Sequence, residues 1–403
     1  MQKILTLTIE KIAGLGDGAA IHEGRRIFVP YTLAGDVVSA RISRSTKDAD
    51  YAELMEVITP GPGRAQPVCR HFATCGGCSL QQLDRSLYTD FKSRMAREAV
   101  RKAGFNPALT GPLAVMPVNS RRRAEFKIEG GKLGYLAEGS HRLIDIEECK
   151  VLEPDLEALV LKLKPELVKP AGLTGMHINT VDGGYDVLLH GTGPAPVLEA
   201  DLLLRISIGS EDGIRTLSKH APVTVTFGTV KVELMPGAFL QAAKEAQALM
   251  TGFVKDAVKG AKTILDLFAG LGTFSFPLAE KANVTAIEGE APMVRAMQEA
   301  AQRHAFKNFR AEARNLFTNP VKAAALDRYD AVIMNPPRAG AKEQSAELTT
   351  SKVKKLVMIS CNPATFARDA RLLKEGGWGL VRALPIDQFS FTPHLEILAE
   401  FAR

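Results

Sequence analysis

Two residues near the end of the chain have the types a covalent reaction needs. Cys361 follows the apolar run Lys355 to Ser360, within Ser360-Cys361-Asn362-Pro363. Glu396 stands in His394-Leu395-Glu396, at the head of the last apolar run. A thiolate adds to an electron-poor carbon, and a carboxylate removes a proton from the adduct. The other four cysteines lie elsewhere: Cys69, Cys75 and Cys78 in one short loop with Gly76 and Gly77, and then Cys149. Four thiolates hold either a zinc ion or an iron–sulfur cluster. His71 lies in the same loop, and with four cysteines available it is read as a bystander.

A third constellation points to a cofactor. Ile264 to Phe268 reads as a strand, and the turn Ala269-Gly270-Leu271-Gly272-Thr273 leads into a helix. A dinucleotide fingerprint wants a third glycine where Ser275 stands, and Asp266 would repel a pyrophosphate. A carboxylate there suits the cationic sulfonium and amino-acid moiety of S-adenosylmethionine. Glu288, 22 residues on, ends the next strand and can accept both ribose hydroxyls. Asn315 follows the third strand and Asn335-Pro336-Pro337-Arg338 the fourth. With a methyl donor in the crevice, Cys361 acquires a specific task. C5 of a pyrimidine is too weak a nucleophile to take a methyl group until a thiolate adds at C6.

These residues need elements to hold them. From about residue 241 to 403, strands expected at 263–268, 284–288, 308–312, 329–334, 355–360, 379–384 and 394–401 alternate with helices, the rhythm of a Rossmann-like doubly wound α/β sheet. Residues 1–60 alternate apolar and polar residues between glycine turns, the pattern of a small β-barrel. Gly14-Leu15-Gly16-Asp17-Gly18 is a turn there and not a phosphate loop, because no Lys-Ser/Thr and no helix follow it. Residues 61–240 read as an α+β central domain, with a helix at 84–104 and strands at 121–128, 133–137, 175–181, 184–190 and 222–235. The helix at 84–104 is a candidate to pack on the catalytic domain.

Composition sets the class. The net charge is +6, and an excess of four positive charges falls between residues 71 and 150. This stretch includes Lys92, Arg94, Arg97, Arg101 and Lys102 on the expected helix and the triplet Arg121-Arg122-Arg123, read as phosphate-backbone contacts. No apolar run reaches the roughly 18 residues of a membrane span, and the N-terminus lacks a signal-peptide core, so a cytoplasmic protein is expected.

Taken together, the residues resemble the RNA uracil-5-methyltransferase family over nearly the whole chain. Ile9 to Gly14, Phe28-Val29-Pro30 and Gly35-Asp36-Val37 look like a TRAM domain, an OB-like RNA-binding barrel. The resemblance implies a class I methyltransferase domain that uses S-adenosylmethionine. Contacts to it would come from Gln241 in Phe239-Leu240-Gln241, and from Phe268, Thr273, Glu288, Asn315 and Asn335. It implies Cys361 as nucleophile, Glu396 as base and a [4Fe-4S] cluster on Cys69, Cys75, Cys78 and Cys149. The partner would be structured RNA, 23S ribosomal RNA ahead of transfer RNA, with no obligate protein partner. The chain departs from the family pattern at Asn335, where aspartate is usual, and at Thr273 and Ala243, where asparagine is common. Asn-Pro-Pro also marks amino methyltransferases, but these place an aromatic residue where Arg338 stands and have no use for Cys361 and Glu396. The remaining alternatives are a cytosine-5 enzyme and a non-enzymatic iron–sulfur RNA-binding protein.

Overall fold

The computed structural model describes residues 3–403, so the first two residues of the expected N-terminal strand lie outside the described residues. The first sheet holds β1 (Ile4–Thr8), β2 (Lys11–Ile12), β3 (Gly18–His22), β4 (Arg25–Val29), β5 (Val37–Ser45) and β6 (Asp50–Thr59) in the order β1-β5-β6-β4-β3-β2. All neighbours pair antiparallel except β4 with β6. Its inward residues, among them Leu7, Ile27, Val29 and Val38, form a separate small core. Gly18 is required by space, since a Cβ there would sit 1.9 Å from Thr32 Oγ1. The exit from this sheet is tied by Asp36, which is buried and accepts from the backbone N–H of Gly61 and the guanidinium of Arg64.

Helix α1 (Arg85–Lys102) starts at an Asp84 cap that accepts from the Leu87 N–H. After a short β7 (Ala114–Val115), the central sheet takes β8 (Arg123–Glu129), β9 (Lys132–Leu136), β10 (Leu143–Asp145), β11 (Leu173–Val181), β12 (Gly184–Gly191), β13 (Leu203–Ser210) and β14 (Gly213–Lys219), in the order β10-β9-β8-β11-β12-β13-β14. Helix α2 (Pro154–Leu167) lays Leu156, Leu159, Val160 and Leu163 on its inner face. The run expected at 222–235 is a hairpin, β15 (Thr224–Phe227) and β16 (Val230–Glu233), turned at Gly228 with φ +62°. Its apolar residues Val225, Phe227, Val230 and Val232 join the core of the large sheet that follows.

That sheet is built from α3 (Lys244–Ala257), β17 (Thr263–Leu267), α4 (Ser275–Ala279), β18 (Asn283–Glu288), α5 (Ala291–Arg303), β19 (Phe309–Ala313), α6 (Ala323–Leu326), β20 (Ala331–Met334), α7 (Lys342–Thr350), β21 (Lys355–Ser360), α8 (Pro363–Glu375), β22 (Gly379–Asp387) and β23 (Glu396–Ala402). The strand order is β19-β18-β17-β20-β21-β23-β22-β7. The first five run parallel, and β23 inserts antiparallel between β21 and β22. The order reverses between β17 and β20, which places a ligand crevice over their carboxyl ends. The Rossmann-like doubly wound α/β sheet expected from the sequence is therefore present. Helix α1 packs against α8 in this domain. Among the described residues no helix is long and apolar enough to cross a membrane.

Two basic groups sit elsewhere than the sequence reading put them. Lys92 is fully buried, because it shares a helical face with Tyr88, Ala96 and Ala99, while Arg94 and Arg97 point outward. Arg122 is buried as well, since strand alternation gives it the parity of Ala124, Phe126 and Ile128. Its Nε donates to the Gln241 carbonyl and its Nη2 to Gln247 Oε1. Arg123 lies over the ring of Phe239 at 4.2 Å, and Arg121 donates to the Arg123 carbonyl. Arg122 is thus a structural strut, while Arg121 and Arg123 keep part of their surface in solvent.

Candidate active site

The turn after β17 is backbone-determined. Phe268, Gly270 and Gly272 all take left-handed conformations, at φ +60°, +58° and +85°. At Gly272 space adds a second requirement, because a Cβ would meet the Phe276 ring at 2.7 Å. Glu288, at the end of β18, fastens the turn from the side. Its Oε2 accepts from the Gly270 N–H at 2.8 Å, and its Oε1 from Gly289 and Glu290 at 2.7 and 3.1 Å. Asp266 is wholly buried within β17; Ser275 Oγ donates to its Oδ2 at 2.5 Å, while Oδ1 has no partner. Burial pushes its carboxyl up to about 7.

The other expected site residues lie along the same sheet edge. Thr273 is half-buried in the turn, and Asn315 is exposed beyond β19, where its Oδ1 accepts from the Phe317 N–H. Asn335 follows β20 and anchors by its backbone N–H to the Leu267 carbonyl, its side chain making no hydrogen bond among the described residues. The ladder between β21 and β23 ends at Ser360 opposite Ile397, so Cys361 and Glu396 emerge side by side beyond it. Burial, and then the Glu396 carboxylate, push the Cys361 thiol up to about 11, with Arg338 acting in the opposite sense. Glu396 is itself buried, which raises its carboxyl to about 7.

Sequence reasoning missed the residue that joins these parts. Gln388 is buried just beyond β22. Its Nε2 donates to Gln241 Oε1 at 2.9 Å and to Glu396 Oε1 at 3.2 Å, and its Oε1 accepts from the Ala242 N–H at 3.0 Å. The signal lay in the strand. The expected span stops at residue 384, before Pro385, but the observed strand continues through that proline to Asp387. Gln388 is therefore one more polar residue near the rim of the same sheet.

In front of Cys361 a cavity of about 530 Å³ opens between the first sheet and α1, bordered by Phe28, Tyr51, Lys102, Arg338 and His394. Arg44 lies over the Tyr51 ring at 4.2 Å. A second cavity, of about 280 Å³, is lined by Cys69, Cys75, Cys78 and Cys149 and reaches Gln388 and His394 on its far side. Burial raises all four thiols, Cys78 to about 12 and Cys149 to about 11; neighbouring cysteines push Cys75, Cys78 and Cys149 the same way, and the Glu148 carboxylate does so for Cys69. His71 Nε2 accepts from the Glu147 N–H. Among the described residues no three His, Cys, Asp or Glu side chains gather as a single metal ion needs.

The chain is similar to known proteins along its whole length. The sequence model of the tRNA (Uracil-5-)-methyltransferase family matches residues 223–400. An uncharacterized RNA methyltransferase of Caulobacter vibrioides is 37% identical, with 98% of this chain and 99% of that protein covered. The chain belongs to the RNA uracil-5-methyltransferase family. Within the family, the 23S rRNA (uracil(1939)-C(5))-methyltransferase RlmD of Chromohalobacter salexigens is 33% identical over 98% of this chain and 89% of its own length. The fold is shared with the Pyrococcus abyssi tRNA (uracil-54, C5)-methyltransferase, solved with S-adenosyl-L-homocysteine: TM-score 0.76, 22% identity, 99% of this chain and 100% of that one covered. Family membership gives S-adenosylmethionine-dependent methylation of RNA at uracil C5 as the class of reaction.

Proposed function

We propose that the enzyme methylates C5 of one uridine in 23S ribosomal RNA through a covalent bond between Cys361 and C6. The adjacency of Cys361 and Glu396 past the last rung of the β21–β23 ladder is the observation that carries this reading. The ribosomal substrate, at the position equivalent to uracil 1939, rests on the likeness to RlmD, ahead of a transfer RNA.

S-adenosylmethionine supplies an electrophilic methyl group. The crevice fits it: the orphaned Asp266 Oδ1 is a buried acceptor for a cationic amino group, and Glu288 keeps lone pairs for ribose hydroxyls. Gln241, Phe268, Thr273, Asn315 and Asn335 complete the contacts. The target base is splayed out of the RNA into the cavity before Cys361, where Tyr51 and Phe28 offer stacking faces. The first sheet serves as the TRAM-type RNA-binding module.

Cys361 gives its proton to solvent, aided by Arg338, and the thiolate adds to C6. The C5=C6 π electrons move toward O4, and C5 takes the methyl group. Glu396 then removes the C5 proton, the double bond re-forms, and the C6–S bond breaks to return the thiolate. The amide of Asn335 can both donate to and accept from the pyrimidine edge, a role that a carboxylate fills elsewhere in the family.

The four remaining cysteines hold a [4Fe-4S] cluster in this reading. A cluster seats its thiolates on separate irons around a cube, which suits thiols spread around a cavity better than a zinc ion, whose sulfurs stand about 2.3 Å from one centre. Bound there, it would take the four half-buried cysteines as thiolate ligands and brace the loop behind the active site.

Release of tritium from [5-³H]uridine-labelled ribosomal RNA, dependent on S-adenosylmethionine, tests the reaction; retained label would refute it. In the same assay Tyr51→Ala should raise the RNA concentration for half-maximal release roughly tenfold, the worth of one stacked base. An unchanged value would remove that stacking contact.

A further inference from the structure

We infer that Gln388 is a positioning residue that fixes the Glu396 carboxylate and the Gln241 amide with one side chain, so that cofactor pocket and base are set together. This rests on the roles given above to Gln241 and Glu396.

The orientation of the amide follows from its surroundings. Gln388 Oε1 accepts the Ala242 N–H at 3.0 Å, which turns Nε2 toward two acceptors, Gln241 Oε1 at 2.9 Å and Glu396 Oε1 at 3.2 Å. All three side chains are buried, Gln388 to within 4% of full enclosure. A primary amide has two N–H bonds, and both are used. The opposite flip would leave a carbonyl facing a carboxylate and an N–H₂ facing an N–H.

Each bond leaves its acceptor prepared. With Oε1 of Glu396 engaged, Oε2 accepts no hydrogen bond among the described residues and remains for the C5 proton. With Oε1 of Gln241 engaged, its Nε2 donates to no group among the described residues, which reserves an N–H donor for the cofactor. The main-chain carbonyl of Gln241 is itself held by the buried Arg122. Gln388 is anchored in turn, because Asp387 before it is held by Lys92 and Tyr88.

The bond also acts on ionisation. A donor on the carboxylate favours the charged form, so the amide works against the rise that burial imposes on Glu396. The titratable and charged groups around it are Cys361 just beyond β21, with Arg338 acting on Cys361, and His394 two residues away, on which Arg338, Lys92 and Arg121 act. Substitution at Gln388 leaves all of them in place.

The test compares Gln388→Met, which keeps the bulk and loses the bonds, with wild type on ribosomal RNA. Expected are a roughly tenfold rise in KM for S-adenosylmethionine and a roughly tenfold slower breakdown of the RNA–protein adduct, each reflecting one lost buried hydrogen bond. The acidic limb of the breakdown rate should move to higher pH. Gln388→Asn, which retains the amide but shortens its reach, should behave likewise and serves if the methionine variant does not fold. A folded variant with unchanged pH limb, adduct lifetime and KM would make Gln388 a packing residue and overturn the inference. Absence of any adduct in wild type would instead refute the covalent reading on which the inference rests.

Discussion

Lys92 and Asp387, 295 residues apart in the chain, form an ion pair with no solvent exposure on either side chain, Nζ to Oδ1 2.7 Å. Lys92 also donates to the carbonyls of Phe389 and His394, and Tyr88 donates to the other Asp387 oxygen at 2.5 Å. The Ser79 and Leu80 N–H groups, next to Cys78, both donate to the Phe391 carbonyl. The loop between β22 and β23, which delivers Gln388 and Glu396, is therefore held from α1 and from the cysteine loop at once.

Breaking this pair should be severe. Lys92→Met leaves Asp387 buried and deprived of its cation, a situation worth about 3–5 kcal/mol. Urea unfolding should show a loss of that size. A loss below about 1 kcal/mol would mean that the pair is not enclosed as described.

Glu396 illustrates a conflict between stability and activity. Its carboxyl is raised from about 4.5 to about 7 by burial. A raised carboxyl stabilises the fold while protonated in both states, and that contribution is lost as pH climbs from its unfolded value through 7. Glu396→Gln, neutral at every pH, should be more stable than wild type by about 1–3 kcal/mol at pH 8 and equal to it near pH 4. With no base to take the C5 proton, it should also accumulate the protein–RNA adduct. Equal stability at both pH values, or normal turnover, would contradict this assignment.

Asp266 titrates near 7 for the same reason and carries an unpartnered oxygen. Ionisation supplies the negative charge that a cationic cofactor needs, so the affinity for S-adenosylmethionine should rise from pH 6 to pH 8. Asp266→Asn should abolish the rise, which calorimetry measures. A flat profile in wild type would place the cofactor's charge elsewhere.

The cluster makes an analytical prediction. Protein purified without oxygen should contain about four irons and four acid-labile sulfides per chain. Cys78→Ser should lose iron and increase hydrogen exchange at Leu80 and Phe391, through the bonds that tie that loop to the cysteines. Stoichiometric zinc with no iron would overturn the assignment.

The parallel strands were legible because fully buried strands read as apolar runs between punctuating turns, and the polar residues at their ends stand out against them. What escaped lay where charge and burial conflict. Lys92 and Arg122 read as surface charge by type, although helical spacing from Tyr88 and strand parity with Ala124 already pointed them inward. Strands β13 and β14 were not anticipated: β14 is an exposed edge strand with little apolar contrast, as Gly213 to Lys219 shows. Gln388 was hidden behind Pro385, whose missing N–H ordinarily argues against a strand interior.

The central claim is the covalent bond to Cys361. Incubation with 5-fluorouridine-containing ribosomal RNA and S-adenosylmethionine blocks the last step, since fluorine replaces the proton that Glu396 must remove. The account predicts a stable protein–RNA adduct that survives denaturation, carries the transferred methyl group and disappears in Cys361→Ala. Methylation without an adduct, or an adduct that persists in Cys361→Ala, would contradict it.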